Sequence, residues 1–304
     1  MASVRKAVIP IAGLGTRHFP ASHAVKKELF PVVGPDGIAR ALFHYHLLEL
    51  EAAGLEEICL IVQPGEEETV RRYLRGPDDA YLKRLEKYPA LLREAEQMRG
   101  FAQRVSFAVQ HQQEGYGHAV FQTKSFANDE MVLLGLGDHL FRGKGGMGGS
   151  PYRELADLAK VSGGRSVSAV NRITADQLKG YGTIAGKRRP ENARLIEVSL
   201  IIEKPSVEVA RAKLQVAGDL GGPHPAEVWL GWFGMHLLAP SIYEILGEMI
   251  RDNIRDNGEF QLTRAQERQR QREGYLAWEM THAQRFDFGV PDDFLASLQE
   301  FRKP

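Results

Sequence analysis

The chain has 304 residues, 43% hydrophobic and 26% charged, and its 39 Lys and Arg balance 39 Asp and Glu. That length accommodates a large α/β domain with an ample core, and the lack of a basic excess argues against a nucleic-acid binder. Cys59 is the single cysteine, which excludes an intrachain disulfide, and no apolar run approaches the length of a membrane span.

An apolar run at 8–12 predicts the first strand, which stops in a turn at Gly13 and Gly15. Such a turn exposes backbone N–H groups where no Cβ blocks approach, so it can wrap a phosphate. Three cations follow it, Arg17, Lys26 and Lys27. The turn is not a P-loop, which ends in Gly-Lys-Ser/Thr, and His18 stands where a dinucleotide loop wants its third glycine. Arg5 and Lys6 ahead of the run superficially imitate a signal peptide. Pro10 and Gly13 interrupt it and no clean small-x-small site follows, so a cytoplasmic protein is expected.

Hydrophobic spacing then predicts a helix over 39–53 ended by Gly54, a strand at 57–62 and a helix at 66–74. Cys59 falls inside that strand, where a buried, inert thiol is expected. A charged helical excursion follows at 78–98, then a strand at 105–110, a helix from Gly117 to Gln122, and an apolar strand at 131–136 leading to Asp138. Alternation of this kind predicts a mostly parallel sheet covered by helices. Glycine recurs through 143–149, a flexible connection ahead of a helix at 152–159. Strands at 166–170, 183–185, 195–203 and 228–238, a Gly/Pro loop at 218–225, and helices at 241–249, 262–270 and 292–301 complete the chain. The basic cluster Arg264–Arg272 is interleaved with Gln and Glu and reads as a solvated helix face.

The ordered series Gly13, Gly15, Thr16, Arg17 and Pro20, then Lys27, Glu28 and Pro31, resembles the signature of the sugar-1-phosphate nucleotidyltransferases, Gly-x-Gly-Thr-Arg-x-x-Pro followed by Lys-Glu-x-x-Pro. The likeness runs over about residues 5–300. It is nearest to the bacterial UTP–glucose-1-phosphate uridylyltransferases, through the charged excursion and the turn at Gly115, Gly117, His118 and Ala119. It implies a Rossmann-like, GT-A-like α/β fold with a mixed, mostly parallel sheet flanked by helices. It also implies one continuous domain over 1–304, with a nucleotide-binding half to about 145 and a sugar-binding half over 146–304. The implied reaction joins a nucleoside triphosphate to a hexose 1-phosphate, releases pyrophosphate and uses Mg²⁺.

Site roles follow from the same resemblance. Ala12, Gly13, Leu14, Gly15 and Thr16 would cradle the triphosphate, and Arg17 would stabilise its departing phosphates. Lys27 would neutralise the α-phosphate and Lys204 would hold the incoming phosphate. Asp138 follows an apolar strand at the sheet edge where ligands gather; by itself it fits a hard divalent cation or a turn cap, and the family places a metal-binding Asp there. Its partner would be Asp287, in the family's Asp-x-Gly segment. Gln110 with Gly115 would read the imide edge of uracil or thymine, with Gln112 and Gln113 as competing assignments. His118 would support that loop. Gly182, Glu203, Lys204 and Gly234 would bind the sugar phosphate, and Glu259 is a secondary candidate.

The chain departs from the pattern at Ser22 and His23, where Thr-Lys is usual, and at Lys26, where Pro is usual. It departs again at 34–38, where Lys-Pro is replaced, and at His139, where Gly-Asp-Asp has its second Asp. These leave the substrates open. UTP with glucose 1-phosphate is the favoured pair, with dTTP, another triphosphate or another sugar phosphate as the alternative. A catalytically silent nucleotide-sugar sensor is the rival from another class. Family members are often dimeric or tetrameric, so self-association is an option the residues themselves do not decide.

Overall fold

The computed structural model describes residues 4–143, 150–217 and 228–303. Residues 144–149 of the expected glycine connection and the whole expected loop at 218–225 lie outside the described residues.

The N-terminal half runs β1 (Lys6–Pro10), α1 (Ala21–Ala24), β2 (Pro31–Val33), β3 (Ala39–Ala41), α2 (Leu42–Ala52), β4 (Glu57–Val62) and α3 (Glu67–Arg75). It continues through α4 (Asp79–Leu85), α5 (Pro89–Arg104), β5 (Val105–Val109), α6 (Tyr116–Phe121), α7 (Lys124–Ala127), β6 (Val132–Leu134) and β7 (His139–Gly143). The C-terminal half adds α8 (Pro151–Asp157), β8 (Val167–Thr174), β9 (Thr183–Arg189), β10 (Asn192–Ile202), α9 (Val207–Lys213) and β11 (Val216–Ala217). It closes with β12 (Val228–Leu238), α10 (Ser241–Arg251), α11 (Leu262–Glu273), β13 (Leu276–Glu279), β14 (Ala283–Asp287) and α12 (Pro291–Phe301).

One sheet organises the molecule, in the order β11-β9-β10-β13-β8-β12-β6-β1-β4-β5. The β6-β1-β4-β5 part is parallel, and antiparallel pairs enter at β12. The central strands are continuous apolar runs because helices cover both faces. Ala7, Ile9, Ile58 and Leu60 face α2, α3 and α5 in one core cluster, while Val8, Cys59 and Ile61 face α6, α10 and α11 in another. Each fully buried Leu, Ile or Val contributes roughly 1.5–3 kcal/mol, so this double burial fixes the strand register.

The expected helix at 39–53 is corrected by the structure. Ala39–Ala41 forms β3 and pairs antiparallel with Pro31–Val33, and the helix begins at Leu42. The first strand lies two residues earlier than expected, at Lys6–Pro10. A second two-stranded ribbon, β7 with β14, was not foreseen; it pairs His139 with Asp287. Among the described residues no helix is long and apolar enough to cross a membrane.

Candidate active site

Because β1, β4 and β6 are parallel neighbours, their C-terminal ends open onto one edge of the sheet. The loop after β1 begins there. Gly15 adopts a left-handed conformation (φ 63°) that starts a single 3-10 turn at Thr16–His18. Ala12 is buried at its root, whereas Gly13, Leu14, Thr16 and Arg17 are exposed. His18 Nε2 lies 3.0 Å from the Phe288 carbonyl oxygen, and its ring packs edge-on against Phe30 and Phe294. That contact fastens the loop to the distant segment carrying Asp287.

The two adjacent lysines have different fates. Lys26 donates to Glu66 Oε2 at 2.6 Å with only 9% of its side chain exposed, so its charge is matched within the protein. This pair, with Gly13, Leu14, Lys27 and Gln63, lines a cleft of about 370 Å³. Lys27 donates to Asp138 Oδ2 at 2.6 Å and lies 3.7 Å from Glu28 Oε1. Burial works against its charge, but attraction to Asp138 and Glu28 outweighs burial and raises its pKa. Glu28 is buried, and its Oε2 has no hydrogen-bond partner. Burial pushes its carboxyl up to about 7 despite the two lysines.

Asp138 and Asp287 converge. A Cβ at Gly289 would sit 2.9 Å from Asp138 Oδ2 and 3.0 Å from Asp287 Oδ1, so only a glycine leaves both oxygens free to approach this spot. Asp287 Oδ2 lies 3.1 Å from His139 Nε2, and Oδ1 accepts the Gly289 N–H at 2.8 Å. Burial opposes the ionisation of both carboxyls. His139, with Lys27 for Asp138 and the Gly289 N–H for Asp287, reverses that and holds both below the usual range. Among the described residues there is no group of three or more His, Cys, Asp or Glu able to hold a metal. Two carboxylates nevertheless fit Mg²⁺, which takes few protein ligands and completes its shell with water and substrate phosphate.

Gln110 follows β5 and is buried; its amide Nε2 lies 3.2 Å from the Gly115 carbonyl and 3.3 Å from His118 Nδ1. Gly115 has φ 107°, and a Cβ there would meet Glu259 Cβ at 2.7 Å. Its lack of a side chain lets the 259–260 segment dock, with Phe260 N donating to Glu114 O and Gly117 N to Phe260 O. His118 ties Gln110 to Gln122. Gln112 and Gln113 are exposed, and Glu259 packs behind Gly115 and bonds Gln261.

A second cleft, of about 160 Å³, is lined by His139, Gly182, Glu203, Trp232, Gly234 and His236, among others. A Cβ at Gly182 would collide with Trp232 Nε1 at 2.1 Å. Gly234 (φ 80°) occupies an irregularity in β12, and a Cβ there would lie 2.3 Å from Leu136 Cγ. Glu203 Oε2 accepts the Thr263 hydroxyl at 2.6 Å. Lys204 has φ 45°, a mostly exposed side chain and an ammonium 3.8 Å from Glu203 Oε1; it does not line the cleft.

Four contacts escaped the sequence analysis. Glu28 belongs to the Lys-Glu signature yet carried no role, and Thr263 lies in the segment that drew attention to Glu259. His139 was visible only as a departure, and the partner of His18 is 270 residues away.

Residues 6–220 match the model of the nucleotidyl transferase family. UTP–glucose-1-phosphate uridylyltransferase 2 of Staphylococcus saprophyticus is 26% identical over 99% of this chain and 93% of its own. YngB of Bacillus subtilis, also a UTP–glucose-1-phosphate uridylyltransferase, is 31% identical over 71% of this chain and 68% of its own. In three dimensions, the UTP-bound UGPase of Acinetobacter baumannii superimposes with a TM-score of 0.75 at 26% identity, covering 98% of this chain and 93% of the other.

Proposed function

The chain belongs to the nucleotidyl transferase family, and on that premise we propose that it joins UTP to glucose 1-phosphate, giving UDP-glucose and pyrophosphate. The Lys27–Asp138 ion pair carries this reading. Lys27 lines the cleft beside the glycine loop, and the residue after Asp138, His139, lines the cleft of Gly182, Glu203 and Gly234. The pair thus stands between the cleft beside the glycine loop and the cleft of Gly182, Glu203 and Gly234, a position suited to the reacting phosphorus of a two-substrate transfer.

In this reaction an oxygen of the sugar phosphate forms a bond to the α-phosphorus of UTP as the bond to the β-phosphate oxygen breaks. The nucleophile is already an anion, so the site needs alignment and charge neutralisation rather than a general base. Backbone N–H groups of the Gly13–Thr16 turn and the exposed Arg17 serve the departing pyrophosphate. Lys27 serves the α-phosphate, Glu203 accepts from sugar hydroxyls, and Lys204 meets the incoming phosphate from the rim. Asp138 and Asp287 would hold Mg²⁺, whose positive charge offsets that of the phosphate oxygens. Gln110 and Gly115 form the base-reading turn. The whole chain acts as one domain, with the nucleotide half ending at about 145.

The test is pyrophosphate release from a panel of triphosphates and sugar 1-phosphates, with and without Mg²⁺. UTP with glucose 1-phosphate should give the highest kcat/KM, and only with Mg²⁺. A higher value for dTTP or for another sugar phosphate would overturn the assignment of substrates.

A further inference from the structure

Beneath the second cleft lies a buried set of polar side chains that the reaction as derived above does not use. Ser168 Oγ is 2.8 Å from the Tyr275 hydroxyl and 2.6 Å from His236 Nδ1. Gln266 Nε2 is 3.0 Å from the Tyr275 hydroxyl and 3.1 Å from His236 Nδ1. All four residues are at most 2% exposed, so the hydroxyl protons of Ser168 and Tyr275 have to find their acceptors within the set.

With the amide nitrogen of Gln266 turned toward Tyr275 and His236, as it is in this structure, that requirement sets the proton positions. The Tyr275 hydroxyl faces Ser168 Oγ and an amide nitrogen, and an amide nitrogen cannot accept. The tyrosine proton therefore goes to Ser168 Oγ. The serine proton is left with His236 Nδ1, which must accept and so carries no hydrogen. Burial pushes the imidazole down to about 3, so the ring is neutral and its one proton is on Nε2. Among the described residues Nε2 has no hydrogen-bond partner, and it is not among the fully buried unpartnered atoms. His236 itself lines the cleft, together with Gly182, Glu203 and Gly234.

We propose that His236 is a specificity-determining residue of the sugar cleft, where Tyr275, Ser168 and Gln266 lock its imidazole as an Nε2–H donor to one hydroxyl of the hexose. This rests on the function proposed above. A donor fixed in place by buried partners discriminates because a sugar lacking the matching hydroxyl leaves it unpaired on binding.

Two measurements test it. First, kcat and KM are compared for glucose 1-phosphate and its 2-, 3-, 4- and 6-deoxy analogues, in the unaltered chain and in His236→Phe. One analogue should lose on the order of 10- to 100-fold in kcat/KM in the unaltered chain. In His236→Phe that penalty should vanish, while the KM for UTP stays the same. Ser168→Ala keeps the ring but frees its tautomer, and should shrink the same penalty without moving the others. Second, the ¹⁵N signals of the His236 ring should show Nε2 protonated and Nδ1 bare in the unaltered chain. Equal deoxy penalties in the unaltered chain and both variants, or an Nδ1–H ring, would overturn the role of His236. Failure of the unaltered chain to make any UDP-glucose would instead overturn the function itself, and with it the hexose as the donor's target.

Discussion

Glu28 decides a competition that can be measured. Its carboxyl is buried between Lys26 at 3.9 Å and Lys27 at 3.7 Å. The lysines favour the carboxylate and burial favours the acid; burial prevails, raising the pKa from the ordinary 4.5 to about 7. Below 4.5 the group is protonated in both the folded and the unfolded chain. Between 4.5 and 7 the unfolded chain releases its proton while the folded chain keeps it, so stability is lost as the pH rises and levels off above 7. At ~1.4 kcal/mol per pH unit that loss amounts to about 3 kcal/mol. Glu28→Gln keeps the shape and removes the titration. Urea unfolding of both proteins across pH 4.5–8 should show the unaltered chain losing about 3 kcal/mol relative to the variant. A difference that stays flat over this range would mean that the lysines hold Glu28 ionised, and the reasoning fails.

Two further substitutions probe the clefts. Lys27→Ala should keep the fold, judged by circular dichroism, while turnover falls by ~10²–10³; turnover near that of the unaltered chain would remove Lys27 from the chemistry. Gly234→Ala places a Cβ at φ 80° and against Leu136, which also lines the sugar cleft. It should cost roughly 1–3 kcal/mol in stability and raise the KM for glucose 1-phosphate but not for UTP. An unchanged sugar KM would show that Leu136 can yield without narrowing the cleft.

What the sequence reveals and hides here follows from the range of the forces. Glu57–Val62 and Val228–Leu238 take their expected bounds, because double-sided burial writes a strand as an uninterrupted apolar run. Ala39–Ala41 misled because alanine favours helix, and only pairing with Pro31–Val33 makes it a strand. β7 and β14 carry no pattern of their own, being short and partnered across about half of the chain. The glycines divide in the same way. Gly13 and Gly15 announce a turn locally, whereas the need for Gly182, Gly234 and Gly289 appears only once Trp232, Leu136 and the two aspartates are in place. The fold class and the order of the site segments were therefore legible. The ion pairing was not, since Lys26 and Lys27 are neighbours in sequence and only tertiary contacts assign one to Glu66 and the other to Asp138.

That division of the lysines bears on the chemistry. Read as a sequence, the loop offers three cations to a polyphosphate; in the fold, Lys26 is already matched by Glu66 and Lys27 by Asp138. If Lys27 turns to the α-phosphate, Asp138, with 21% of its side chain exposed, is left as a largely enclosed carboxylate without its ammonium and beside a polyanion. Losing one partner of such a pair costs several kcal/mol. Asp138 therefore needs a replacement cation at the moment Lys27 is given up, whereas Asp287, near it across Gly289, keeps Arg285 at 3.6 Å. Asp138 and Asp287 would hold a divalent ion that supplies this charge, so the proposed reaction should depend on Mg²⁺ even though the loop looks rich in positive charge. Lys26→Pro, which restores the residue usual at that position, follows from the same logic. It removes a cation that is already neutralised and leaves the Glu66 carboxylate, among the described residues, with only the Gln63 N–H, so it should weaken UTP binding through the uncompensated carboxylate. Lys27→Ala, by contrast, should act on turnover. Equal effects of the two substitutions on kcat would refute this division of labour.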